Sequence, residues 1–182
     1  MKSTLIKQVF QSSRRGFSAS LYNYSSSSNP QVYLSVSSDG QQLGNLVFEL
    51  YSNKNPLNAE NFKQLCQTSL VGTSFTSGAP GIAVRGGVSE QENVGAEGVR
   101  LPDEDTTVRH YKRGILSMAN DGENANGREF YITLGKADLL DGYHTVVGEL
   151  VQGEETLAEI ERNLSRLGNI EKEIKIDAAG SQ

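Results

Sequence analysis

Cysteine is almost missing from this sequence: Cys66 is the single one in 182 residues, so no disulfide can form within the chain. Its neighbours Phe62, Leu65 and Leu70 fall in a helical pattern, and the thiol is expected to be a small buried hydrophobe and not a nucleophile. Nowhere does the sequence approach the ~18 consecutive apolar residues of a membrane-spanning helix, so the protein is expected to be soluble or attached to a membrane only peripherally. Paired histidines at zinc spacing, cysteine clusters and phosphate-loop patterns are all lacking. The glycine-rich run from Gly86 to Gly98 has no strand-to-helix setting, and a metal- or phosphate-binding enzyme finds no support.

Acid is missing from one end. Residues 1–30 hold Lys2, Lys7, Arg14 and Arg15 and no Asp or Glu, so the net charge of −5 hides a −9 on the remaining chain. A body that acidic is a poor match for a phosphate backbone, which sets nucleic acid aside as a partner. The basic segment is also rich in serine and threonine, the profile of an organelle transit peptide. At 100° per residue Leu5, Ile6, Val9 and Phe10 share an arc opposite Lys7, Gln11 and Arg14. The run Arg14-Arg15-Gly16-Phe17-Ser18 resembles a mitochondrial presequence cleavage region. Residues 1–30 are therefore expected to address the chain to the mitochondrion, on the matrix side, or, if retained, to serve as an anchoring arm. Ser25 to Ser28 and Asn29-Pro30 read as a linker into a folded body over residues 31–180.

The body holds one core: the whole chain is 36% hydrophobic, and a domain of ~150 residues buries roughly 70% of its unfolded surface. Alternation at Val32, Leu34 and Val36, a turn at Asp39-Gly40 and a second apolar run through Leu46, Phe48 and Leu50 predict a hairpin. Pro56 opens a helix whose apolar side is Leu57, Phe62 and Leu65. Short strands are predicted over 82–85, 115–118, 130–133 and 146–151. A second amphipathic helix follows over 154–164, and a last strand over 170–176. Many short strands, few helices and 19 glycines favour a mainly β fold, a closed antiparallel barrel. No internal repeat is present. His110 is expected to be exposed, and Asp103-Glu104-Asp105 to be a solvated loop open to a basic partner.

Several segments together carry a family likeness. Gly114-Ile115-Leu116-Ser117-Met118-Ala119-Asn120, Asn126-Gly127, Glu129-Phe130-Tyr131-Ile132-Thr133 and Leu140 through Gly148 resemble the central portion of cyclophilins. Gly44 to Leu50 and Pro56 to Phe62 are similar to the family's second strand and first helix, and the match keeps the family's order over about residues 31–180. The resemblance implies an eight-stranded antiparallel barrel closed by two helices. It also implies cis/trans isomerisation of the bond before proline in peptides, with no metal or organic cofactor. That bond has a rotational barrier of ~18–20 kcal/mol, and catalysis consists of weakening its amide resonance. The family does so with an arginine that donates toward the prolyl nitrogen beside an apolar pocket for the ring.

The family's signature segment corresponds to Ser74 through Gly87, with Phe75, Pro80, Gly81, Gly86 and Gly87 fixing the register without gaps. Ser77 stands at the catalytic arginine, Thr76 at the preceding histidine, Ile82 at the pocket phenylalanine, Ala83 at the pocket methionine and Arg85 at the site glutamine. Ala119 and Asn120 match the peptide-gripping segment; Tyr131, Leu140 and His144 match pocket positions. Glu129 replaces the usual glutamine, and Leu139 stands where tryptophan or another large residue is common. Serine is short and neutral and cannot present a charged fork of donors. Weak or absent isomerase activity is the expected consequence. Arg85 reads either as a substitute cation or as half of a surface salt bridge, and Tyr131, Leu140 and His144 also suit ordinary packing. Two functions follow: a non-catalytic accessory subunit of a mitochondrial assembly such as a respiratory-chain complex or mitoribosome, or an active isomerase assisting protein folding in the matrix.

Overall fold

The computed structural model describes residues 29–182; the amphipathic segment, the presequence-like run and the serine stretch read from the sequence lie outside the described residues. The chain opens with strands β1 (Gln31–Ser38) and β2 (Gln41–Leu50), joined by the two-residue turn Asp39-Gly40. Both turn residues take positive φ, 47° and 79°, the geometry that lets a two-residue loop follow the right-handed twist of its strands. Helix α1 (Pro56–Thr68) follows, then β3 (Ser74–Ala79), β4 (Ala83–Gly86), β5 (Ile115–Asn120) and β6 (Asn126–Thr133). A 3-10 turn (Asp138–Leu140), β7 (Val146–Gln152), α2 (Glu154–Arg162) and β8 (Asn169–Ser181) complete the fold.

The strands close into an antiparallel barrel in the order β1-β2-β7-β5-β6-β4-β3-β8. Among the described residues, closure leaves this barrel no unpaired sheet edge. Alternation sends Leu34, Phe48, Val84, Leu116, Met118, Phe130, Ile132 and Ile174 into one core, joined by Phe62 and Leu65 of α1 and Leu157 and Ile160 of α2. Phe130 is its centre, meeting Phe62 and Phe75 edge-on at 5.3 and 5.8 Å. Gly86 is required here, because a Cβ would stand 2.7 Å from the Phe130 ring and 2.8 Å from the Phe75 ring. Cys66 lies in the same core, and burial pushes its thiol up to about 12, which fits a packing role.

Two expectations are corrected. His110 is fully buried, because its ring and amide are claimed by Asp141, 31 residues downstream. The acidic run is not a bare solvated loop: Glu104 accepts from the Leu57 and Asn58 backbone N–H groups at 3.1 and 2.8 Å, capping the first turn of α1 from outside the helix. Asp103 accepts from the Asn124 backbone and the Asn126 side chain, each at 2.8 Å. Among the described residues no helix is long and apolar enough to cross a membrane.

Candidate functional site

Strands β3, β4, β6 and β5 lie side by side, and their ladders bring the sequence-predicted residues into register. Ser77 pairs with Arg85, Arg85 with Tyr131, and Tyr131 with Ser117. Because Val84, Phe130 and Ile132 point into the core, the alternate residues Ala83, Arg85, Glu129 and Tyr131 stand on the outer face. Ser77 therefore occupies a sheet position directly beside Arg85.

An apolar cluster separate from the main core sits on this face. Ala83, Ala137 and Leu140 form it, with Ile82 and Tyr131 packed against them. Four of its five members are positions singled out from the sequence. Ala137 was not foreseen, since a lone alanine in a loop carries no pattern. The His144 ring meets Tyr131 edge-on at 5.1 Å, and its Nδ1 lies 3.1 Å from the Met118 carbonyl, so Nδ1 carries the proton in the neutral ring. Burial holds His144 below its ordinary pKa, and nearby His110 adds to that; the Met118 carbonyl and Asp103 oppose it. Asn120 donates to the Tyr143 carbonyl at 2.8 Å, Ala119 is buried beside it, and Leu139 stands exposed at the rim with Tyr143.

The charged residues of the face are already engaged. The Arg85 guanidinium forms an ion pair with the Glu129 carboxylate; the arginine side chain is 35% exposed and the glutamate 9%. The carboxylate thus sits in the wall of the face, while the arginine side chain is only partly covered and its Nε is buried. Next to it, the buried Arg128 donates to Gly87 O, Ser89 Oγ and Gln91 O at 3.1, 2.8 and 3.1 Å. Asn93 Oδ1 accepts from the Arg128 and Glu129 amides at 2.7 and 3.1 Å. Together they strap the segment after β4 onto β6, an arrangement the sequence hinted at only through a charged residue inside an otherwise buried strand. A separate groove lined by Leu43, Glu154, Glu155, Ala158, Glu159 and Arg162 shares none of these residues. No group of three or more His, Cys, Asp or Glu able to hold a metal occurs among the described residues.

A closed eight-stranded antiparallel barrel with two helices is the architecture of a cyclophilin domain. Residues 33–181 match the cyclophilin type peptidyl-prolyl cis-trans isomerase/CLD family, and the chain belongs to that family. It is similar to a peptidyl-prolyl cis-trans isomerase of Encephalitozoon cuniculi, 37% identical over 154 residues that cover 80% of this chain and 90% of that protein. It is also similar to the E3 SUMO-protein ligase RanBP2 of Pan troglodytes, 37% identical over 165 residues covering 86% of this chain; the chain spans 5% of that protein's length.

Proposed function

We propose that this chain is a cyclophilin-type domain that binds proline-containing segments of partner proteins and isomerises them weakly or not at all. In this reading it serves as an accessory subunit of a large mitochondrial assembly, such as a respiratory-chain complex or mitoribosome. What supports the catalytic part is the state of the cations on the outer face: the family resemblance puts Ser77 at the arginine position, and Arg85, its cross-strand partner, is ion-paired with Glu129. Removing one preorganised donor from a developing charge costs ~3–4 kcal/mol, on the order of a hundredfold to a thousandfold in rate. Ile82 and Ala83 also offer less area to a proline ring, at roughly 25 cal/mol per Å². The apolar cluster and the Asn120 strand remain as the means of binding.

The mitochondrial part rests on the acid-free, basic and hydroxyl-rich first thirty residues, ahead of one domain over residues 31–180. A second reading has one observation in its favour. Arg85 is paired in the ladders with both Ser77 and Tyr131, so a guanidinium does stand on the slot's face. Released from Glu129, it would make the chain an active isomerase assisting matrix protein folding.

Cis/trans isomerisation of a proline tetrapeptide, compared with the uncatalysed rate, separates the two. A rate near background supports the binding reading; activity that Arg85→Ala abolishes overturns it. The assembly is tested by purifying the protein from isolated mitochondria, where it is expected to travel with a stable complex. Recovery as a free monomer contradicts that role.

A further inference from the structure

We infer that His110 is a positioning residue of the apolar slot, clasping both ends of the turn that forms one of its walls. The inference rests on reading that slot as the proline site. Ala137 N–H donates to the His110 carbonyl at 2.9 Å, while the His110 amide and ring Nδ1 both reach Asp141 Oδ1, at 2.8 and 2.9 Å. One residue thus holds the entry and the exit of the 3-10 turn Asp138–Leu140. That turn and its entry residue deliver Leu140 and Ala137 to the cluster with Ala83, Ile82 and Tyr131, and they present Leu139 at the rim. The Leu140 carbonyl in turn accepts from the Tyr143 and His144 amides at 3.3 and 3.2 Å. Wall, rim and the His144 ring against Tyr131 are therefore one hydrogen-bonded unit hung on His110.

The protonation state follows from the surroundings. Asp141 can only accept, so His110 carries its proton on Nδ1. Its Nε2 is buried with no hydrogen-bond partner among the described residues, and an imidazolium would point a second N–H at no acceptor among them. Of the other charged groups on this turn, Arg109 stands 3.8 Å from Asp141 Oδ2, and Asp138 is paired with Lys136 at 2.8 Å.

The test uses the full chain and two substitutions. His110→Phe keeps the buried bulk and removes the donor, whereas His110→Asn retains a donor near the Nδ1 position. The wild-type ring nitrogens should show the Nδ1–H neutral pattern by NMR. His110→Phe should speed hydrogen exchange at the Ala137 and His144 amides and weaken proline-tetrapeptide affinity, each by about tenfold, while His110→Asn stays within about threefold of wild type. Should His110→Phe fail to fold, Asp141→Ala, which removes the shared acceptor, is expected to raise the same exchange rates with the ring left in place. Wild-type exchange rates in His110→Phe, or equal impairment by Phe and Asn, would overturn the inference. A wild-type chain that binds no proline peptide refutes the proposed function instead, and the exchange comparison still decides the clasp.

Discussion

A serine hydroxyl brings one donor a short way from the backbone, whereas an arginine brings five in a charged plane at the end of a long arm. Position 77 lies on β3, and its cross-strand neighbour is Arg85, so placing arginine there alone sets two guanidiniums opposite each other across a ladder. On the proposed reading, Ser77→Arg is therefore expected to raise isomerisation by less than about tenfold, because a charged donor is added while like charge and the small Ala83 oppose its use. Adding Arg85→Gln and Glu129→Gln to Ser77→Arg should raise the rate further. A single substitution that restored full activity would show that the slot had never been impaired. The sequence placed these positions by resemblance, with Phe75, Pro80, Gly81, Gly86 and Gly87 as its gapless markers, and the ladder sets Ser77 opposite Arg85. The partner of Arg85 was not legible, since Glu129 reaches it from a strand 44 residues away along the numbering. Gly86 is a second residue-scale test. Gly86→Ala forces a methyl between Phe75 and Phe130, and overpacking of that kind costs about 1–3 kcal/mol, readable as a lowered denaturant midpoint.

Elements were legible where period and punctuation agreed, as in the Asp39-Gly40 hairpin and the proline-started helix α1. Strand β3 carries little strand signal in its sequence: in Ser74–Ala79 only Phe75 is a large apolar residue, and a register shift between Phe75 and Ser77 breaks the alternation. Strand β8 runs to Ser181, beyond the predicted end at 176, because its pairing with β1 is through backbone groups that Ala178, Ala179 and Gly180 supply without an apolar signal. Burial of His110 and capping by Glu104 were hidden for a common reason: both arise from contacts between segments distant in sequence. Glu104→Ala should remove the acceptor for two N–H groups of α1 and lower stability by about 0.5–2 kcal/mol, a drop of a few degrees in the thermal midpoint. An unchanged midpoint would mean that water replaces the carboxylate at no cost.

The whole molecule responds to acid through its two histidines. Burial holds both His110 and His144 below their ordinary pKa, so below about pH 6.5 the unfolded chain binds more protons than the folded one. Stability should accordingly fall as pH drops from 7 to 5, and His110→Asn should flatten that slope in thermal unfolding. Asp141 shifts in a sense that matters at lower pH. Partial burial raises it, but the His110 amide and ring, with Arg109, bring it below the usual carboxylate range. Its contribution is present above its unfolded value and is lost only as pH falls through the folded one, giving a second, more acidic stage of unfolding.

Binding without catalysis is the central claim, and NMR exchange spectroscopy of a proline-containing peptide titrated with the protein reads both halves in one sample. The account predicts peptide shift changes that saturate, with no cis/trans exchange cross-peaks beyond those of the free peptide. Strong exchange cross-peaks at substoichiometric protein, lost on Arg85→Ala, would contradict it.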